Sequence, residues 1–227
     1  MAVPVPELAP LTPGATRVLD AASLLFYERG IHAVGVDTIA EAAGVTKKTL
    51  YDRFGSKEAL VVSYLQHRDA RWRAHVAEHL SQVPEPGVDR ILTVFTAAIA
   101  WSDENSPKGC SAINARAEIG DGHDGHPVFP EVSRQKSWLL ELFTDLCAEA
   151  GAADADLMAR AMMLLYEGAI VTVGMETFSQ PFEVAEGLAR TMLEQDPGLR
   201  TASRWSSRAS VHGGARSFCG RQARGSL

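Results

Sequence analysis

The stretch IAEAAGVTKKTLYDRFGSKEAL, from Ile39 to Leu60, decides the fold. Gly44 and Gly55 divide it into three segments. Glycine enters the left-handed backbone region without steric cost and so ends helices. Thr46 and Ser56 follow the two glycines and suit the N-caps of the next helices. The stretch therefore reads as helix, tight turn, helix, tight turn, helix. Ala40 and Ala43 are small enough for the first two helices to cross closely, and Val45 fills the angle between them. Leu50 and Phe54 face inward from the middle helix, Lys47–Phe54. Thr46, Lys47, Lys48, Thr49, Tyr51 and Asp52 are left outside. A helix-turn-helix lays its second helix in the DNA major groove. Short polar, basic and aromatic side chains there suit phosphates and base edges. Lys57, opening the third segment, adds an ammonium to backbone N–H groups at a helix start, where a phosphate binds well.

The flanking sequence is helical throughout. TRVLDAASLLFYERG places Val18, Ala22, Leu25 and Phe26 at helical spacing, with Gly30 as its stop. A short helix spans Val36–Ala43, capped by either Gly35 or Asp37. A long one runs from Ser56 to about Leu80. Further helices are predicted at about Val88–Trp101, Cys110–Ile119, Pro127–Ala150, Asp154–Phe178 and Pro181–Leu193. No alternation of period two indicates a strand. The expected fold is all-α with about nine helices: a flexible arm (1–14), a three-helix DNA-binding unit (15–62), a second helical domain (63–195), to which the family resemblance described below assigns ligand binding and dimerisation, and a disordered Arg/Ser/Gly-rich tail (196–227).

The formal charge of −6 is unevenly spread. Residues 1–60 hold 6 Lys/Arg against 7 Asp/Glu, residues 61–195 hold 10 against 20, and residues 196–227 hold 6 against 1. The acid thus lies away from the helix-turn-helix, and in the middle domain it favours a neutral or cationic ligand over an anionic one. Cys110, Cys147 and Cys219 have no CxxC spacing, and no secretion signal is evident, which fits the reducing cytoplasm. No apolar run approaches the roughly 18 residues of a membrane span. No nucleophile elbow, Gly-rich phosphate loop or carboxylate pair indicates an enzyme. An architectural or RNA-associated role through the arginines of the tail is the other alternative; a solvated tail explains them as well.

Residues 17–65 resemble the DNA-binding domain of TetR-family transcriptional regulators. The resemblance rests on AASLLFYERG, GVDTIAEAAGVTKKTLYDRF and GSKEALVVSYL in that order and spacing. Gly35 departs from it, standing where such proteins often carry Ser or Thr. The resemblance implies DNA contacts at Thr46, Lys47, Lys48, Thr49, Tyr51 and Lys57. It also implies double-stranded operator DNA as a partner, a homodimer joined by the last two long helices, an unidentified small-molecule effector, and repression as the mode of action. No cofactor and no membrane partner are expected.

In the second half, DGHDGH brings Asp121, His123, Asp124 and His126 within six residues. A polar turn before Pro127 is the preferred reading over a divalent-metal site, and no metal is expected. Cys110 is read as a structural thiol rather than a redox sensor. AMMLLYEGAIVTVGM is apolar around its circumference, so protein should cover several sides. Gly168, Ala169, Thr172 and Gly174 are candidates for the dimer contact. Glu167 is expected to pair across the dimer or reach solvent in preference to meeting a ligand. Trp101, Asn114, Phe143, Met162, Met163 and Tyr166 are candidate ligand-pocket residues.

Overall fold

A computed structural model of the chain describes residues 3–105, 108–119 and 125–200. Among them run nine helices: α1 (Pro13–Arg29), α2 (Val36–Ala42), α3 (Lys47–Phe54), α4 (Lys57–Ser81), α5 (Val88–Asn105), α6 (Ser111–Ile119), α7 (Val128–Ala150), α8 (Ala155–Val173) and α9 (Pro181–Gln195). One further helical turn follows at 197–200, and there is no strand among the described residues. None of these helices is long and apolar enough to cross a membrane.

Four boundaries differ from the sequence reading; one is α5, which runs to Asn105 instead of ending near Trp101. α1 begins inside the expected arm, because Thr12 accepts the Ala15 N–H at 3.4 Å and Pro13 suits a first helical turn. α8 stops at Val173, not Phe178: Gly174 closes it, and Glu176 and Gln180 then take positive φ of 52° and 58°. The expected tail is ordered to Arg200. Asp196 accepts the N–H groups of Gly198 (2.9 Å), Leu199 (3.1 Å) and Ala153 (3.1 Å), and Leu199 is buried. The remaining Arg-rich residues, 201–227, with Cys219, lie outside the described residues.

Two apolar cores organise the helices. The first gathers Val18 and Phe26 of α1, Ile39 of α2, Leu50 of α3, and Leu60 and Tyr64 of α4. It also takes in Ala112 and Ala115 of α6 and Val128 and Val132 of α7. The second packs Val76 and Leu80 of α4 against Phe95 of α5, Phe143 of α7, Met162 of α8 and Phe182 of α9. Helix α4 belongs to both cores. The boundary expected near residue 62 falls inside one helix, and part of the second region completes the first core.

Charges are buried where α4 meets α7. Asp69 forms an ion pair with Arg73 at 2.8 Å and accepts a hydrogen bond from Arg134 at 2.9 Å, with 3% of its side chain exposed. Glu131 accepts from Arg134 (2.6 Å), Gln135 (2.7 Å) and Gln66 (3.3 Å). The Arg73 guanidinium also lies 4.2 Å over the Trp138 ring, whereas its Nε has no hydrogen-bond partner among the described residues. Breaking a buried ion pair strands a charge and usually costs about 3–5 kcal/mol; the half-exposed Arg134 lowers the expectation to about 2–3.

Burial pushes the Glu131 carboxyl up, but the hydrogen bonds from Arg134 and Gln135 outweigh it and hold the group below its usual 4.5. A lowered carboxylate stabilises the fold above its unfolded value, and that contribution fades as pH falls through the folded value. Glu131→Ala is expected to lose about 2–3 kcal/mol in urea denaturation at pH 7. Glu131→Gln should show a flatter loss of stability below about pH 4.5 than the native chain. Equal acid sensitivity in both would mean that Glu131 does not carry this linkage.

Candidate nucleic-acid interface

The turn between α2 and α3 is fixed by its backbone. Gly44 has φ 62°, and the Val45 N–H returns to the Ala40 carbonyl at 3.0 Å. Gly35, not Asp37, caps α2, and Asp37 pairs instead with Lys47 at 3.0 Å. Thr46 caps α3: its hydroxyl accepts the Thr49 N–H at 3.1 Å and lies 2.9 Å from the Thr49 hydroxyl. Leu50 is fully buried against α1 and α2, and Phe54 and Val45 pack on the same core. Gly55 closes α3 with φ 78°, and Ser56 caps α4 by accepting the Ala59 N–H at 3.1 Å. Arg17 of α1 donates to the Ala43 carbonyl at 3.3 Å, tying the turn to the first helix.

One face of α3 is left to solvent. Thr46, Lys47, Lys48, Tyr51 and Asp52 are exposed, Tyr51 by 41%, and Thr49 is half-buried. Lys48 pairs with Asp52 at 2.7 Å, one turn along the helix. This pair and Lys47–Asp37 are both exposed. Exposed pairs contribute roughly 0–1 kcal/mol, so a phosphate can displace either carboxylate. Arg53, which the sequence reading left out, is exposed on the same helix; its place in the last turn, clear of the Leu50–Phe54 anchor, was the available signal. Lys57 is half-buried and donates to the Ile31 carbonyl at 2.6 Å. It is thus partly committed to the fold, which its position in the sequence did not reveal.

The other candidates separate into distinct environments. A half-enclosed cavity of about 70 Å³ lies between α4, α5, α6, α7 and α8. Trp101 and Tyr166 line it, together with Arg68, Trp72, Lys136 and Trp138. Met163 faces an open groove of about 550 Å³ outside it. Phe143 and Met162 are fully buried core residues instead. Asn114 lies in a separate cleft beneath α1, where it donates to the Lys108 carbonyl at 3.1 Å. Trp72, which the sequence reading passed over, is the centre of the aromatic cluster, with ring centroids 5.7 Å from Trp101 and 6.2 Å from Tyr166.

Glu167 is paired within its own subunit: Lys136 of α7 donates to its two oxygens at 2.7 and 2.9 Å. Lys136 also lies 3.4 Å from the half-buried Cys110 Sγ. Burial pulls the Lys136 pKa down, but the Cys110 sulfur and the Glu167 carboxylate more than offset it, leaving it above its usual value. Cys147 is fully buried, which pushes its thiol up to about 12. His126 accepts the Val128 N–H at 3.2 Å and caps the start of α7. Asp121, His123 and Asp124 lie outside the described residues.

Of the candidate dimer residues, Gly168 is exposed with open space where a Cβ would stand, and Thr172 donates to its carbonyl at 2.7 Å. Ala169 is buried in its own subunit's core, and Gly174 lies against the Lys108 backbone, 3.1 Å from where its Cβ would be. Both are already used by the fold of a single chain. The exposed apolar side chains that the sequence reading missed are Leu157 (62%) and Leu164 (74%) on α8, and Val184, Leu188 and Met192 on α9. Their spacings of seven on α8 and four on α9 put each set on one helix stripe.

Comparison with known proteins agrees with this geometry. Residues 18–64 match the model of the bacterial regulatory proteins of the tetR family. An uncharacterised HTH-type transcriptional regulator of Mycobacterium tuberculosis is 30% identical over 175 residues, covering 70% of this chain and 85% of the relative. The HTH-type transcriptional regulator UidR of Escherichia coli is 32% identical over 198 residues, covering 84% of this chain and 95% of the relative. The crystal structure of a TetR-family transcriptional regulator from Streptomyces coelicolor superposes with a TM-score of 0.69 at 30% identity, covering 84% of this chain and 96% of the other. These relatives are named as regulators of transcription. A helix-turn-helix with a polar, basic face, set on an all-helical body shared with these proteins, makes this chain a member of the TetR family of DNA-binding transcriptional regulators.

Proposed function

We propose that the chain is a dimeric repressor that leaves a palindromic operator when a small molecule enters its helical body. The observation that carries the DNA half is the solvent face of α3. Lys47, Lys48 and Tyr51 are exposed on a helix whose opposite side is anchored by Leu50. In this reading Thr46, Lys47, Lys48 and Thr49 meet bases and phosphates in the major groove. Tyr51 and Lys57 hold the backbone, and Lys57 has two further donors after Ile31 takes one. Residues 15–62 form the reading head, and residues 63–195 sense and dimerise. The protein works in the cytoplasm with its operator.

Two subunits would meet through α8 and α9, closing the stripes of Leu157, Leu164, Val184, Leu188 and Met192 away from water. Gly168 and Thr172 would lie within that contact. Large exposed apolar side chains gathered on two packed helices are the usual mark of a protein interface. The dimer sets two α3 helices about one DNA turn apart, as a two-fold operator requires.

The effector reading rests on connectivity. Helix α4 joins the two cores, and a second tie runs through Tyr27 of α1. Its hydroxyl donates to the Gly109 carbonyl at 3.1 Å and accepts the Lys108 N–H at 2.9 Å, just before α6. A ligand that moves α4 or α6 would change the angle of the reading head. A differential affinity of a few kcal/mol suffices to empty the operator.

A mobility-shift titration with DNA from around the protein's own gene, across a salt series, tests the DNA half. Tyr51→Ala is expected to weaken binding about tenfold with unchanged thermal melting. Lys48→Ala should lower the salt slope by about one per subunit. Full-strength binding by both variants would remove these contacts from the assignment. Light scattering tests the dimer: Leu164→Glu should give a folded monomer with DNA affinity lowered at least tenfold. A dimer persisting in that variant would move the interface away from α8.

A further inference from the structure

The half-enclosed cavity and the open groove have one lining residue in common, Lys136. Trp72, Trp101, Trp138 and Tyr166 lie on the inner side of it; Arg116, Val132 and Met163 lie on the outer side. Glu167 holds the ammonium at 2.7 Å, so this ion pair stands between the two spaces. A drug-sized ligand needs a site of about 300 Å³ or more. The inner space of about 70 Å³ does not hold one, whereas the groove of about 550 Å³ does.

The charges around these spaces do not follow the acidic balance of residues 61–195. Arg68 and Lys136 line the cavity, and Asp69, the carboxylate beside them, is already held by Arg73 and Arg134. Arg116 and Lys136 line the groove, against Glu167. The aromatic walls would suit a cation were they vacant. However, Arg73 lies 4.2 Å over Trp138 and Arg71 lies 5.6 Å over Trp101. An incoming cation meets two of the four rings, Trp101 and Trp138, already covered by resident guanidiniums.

We propose that the effector is an amphiphilic organic anion. Its carboxylate or other oxyanion takes Lys136 from Glu167, and its apolar body lies along the groove and, as the partition opens, against the inner tryptophans. Glu167 is then an internal competitor for the same ammonium and sets the threshold for binding. This rests on the sensing role proposed above and adds the ligand's charge and its anchoring residue. It also reverses the ligand preference expected from the charge of the middle region: the two carboxylates at the site, Asp69 and Glu167, are already held by cations of the chain.

The test compares two fluorescent probes with the same ring system. These are 8-anilinonaphthalene-1-sulfonate, which is anionic, and N-phenyl-1-naphthylamine, which lacks the sulfonate. Titrated into the full chain, the sulfonate is expected to bind at least tenfold more tightly. Lys136→Met should remove that preference, Lys136→Arg should retain most of it, and Glu167→Gln should tighten the sulfonate about fivefold by removing the competitor. Equal affinity for the two probes, or a Glu167→Gln variant that binds the sulfonate more weakly, overturns the proposal. So does a Lys136→Met variant that keeps the preference. Mobility shifts on the same variants separate the two ideas. Anion binding that leaves DNA binding untouched would refute the effector reading while the anion site stands. DNA release by the uncharged probe alone would do the reverse.

Discussion

Asp69 is the constraint on which the coupling of this molecule depends. It sits at the middle of α4, nearly closed off from water, between the guanidiniums of Arg73 and Arg134. A carboxylate taken out of water is tolerated only with charge and hydrogen bonds around it. Here the compensation comes from one turn further along the same helix and from α7. The register of α4 against α7 is therefore fixed more narrowly than apolar packing alone would fix it. Apolar side chains can slide over one another at modest cost, whereas a buried carboxylate that loses its partners cannot. Because α4 also supplies Leu60 and Tyr64 to the first core and Val76 and Leu80 to the second, the clamp sets how one core stands on the other.

That arrangement suits a protein that must transmit a small displacement. The reading head is too small to be independent of the body: α6 and the start of α7 complete its core, and Tyr27 is hydrogen-bonded to the loop before α6. A change at the cavity, which touches α4, α5, α6, α7 and α8 together, reaches the head by two routes. The Lys136–Glu167 pair lies where α7 and α8 meet at that cavity. α8 also carries Leu157 and Leu164, the exposed stripe assigned to the dimer contact. In the proposed function, sensing and pairing would share α8, and sensing and the core of the reading head would share α4, α6 and α7.

Much of the reading head was legible in the sequence because its determinants are local. Glycines at positive φ, hydroxyl caps and an apolar anchor every three or four residues act within one or two turns of chain. Gly44, Thr46, Leu50, Gly55 and Ser56 take the roles their types and spacing indicate. Where local signals ran out, the reading slipped. The end of α8 was placed beyond Gly174 because the following residues are still apolar, yet Met175 and Phe178 prove exposed. The start of the tail was placed before residues 197–200, which Asp196 and the burial of Leu199 hold in place.

By itself the sequence determined the all-helical class, the helix-turn-helix, its outward residues and the family resemblance. The first three follow from the period of the pattern and from backbone preferences a few residues long; the resemblance rests on the motifs between Ala21 and Leu65. Only the tertiary structure decided which large side chains face a cavity and which fill a core. A helix that is apolar on every side has no face that its sequence can single out. Phe143 and Met162 went to the core and Trp101 and Tyr166 to the cavity wall. Ala169 turned inward beside an outward Gly168. The pairing of Glu167 with Lys136 was likewise invisible, since 31 residues of chain separate them and only the packing of α7 against α8 brings their charges within 2.7 Å.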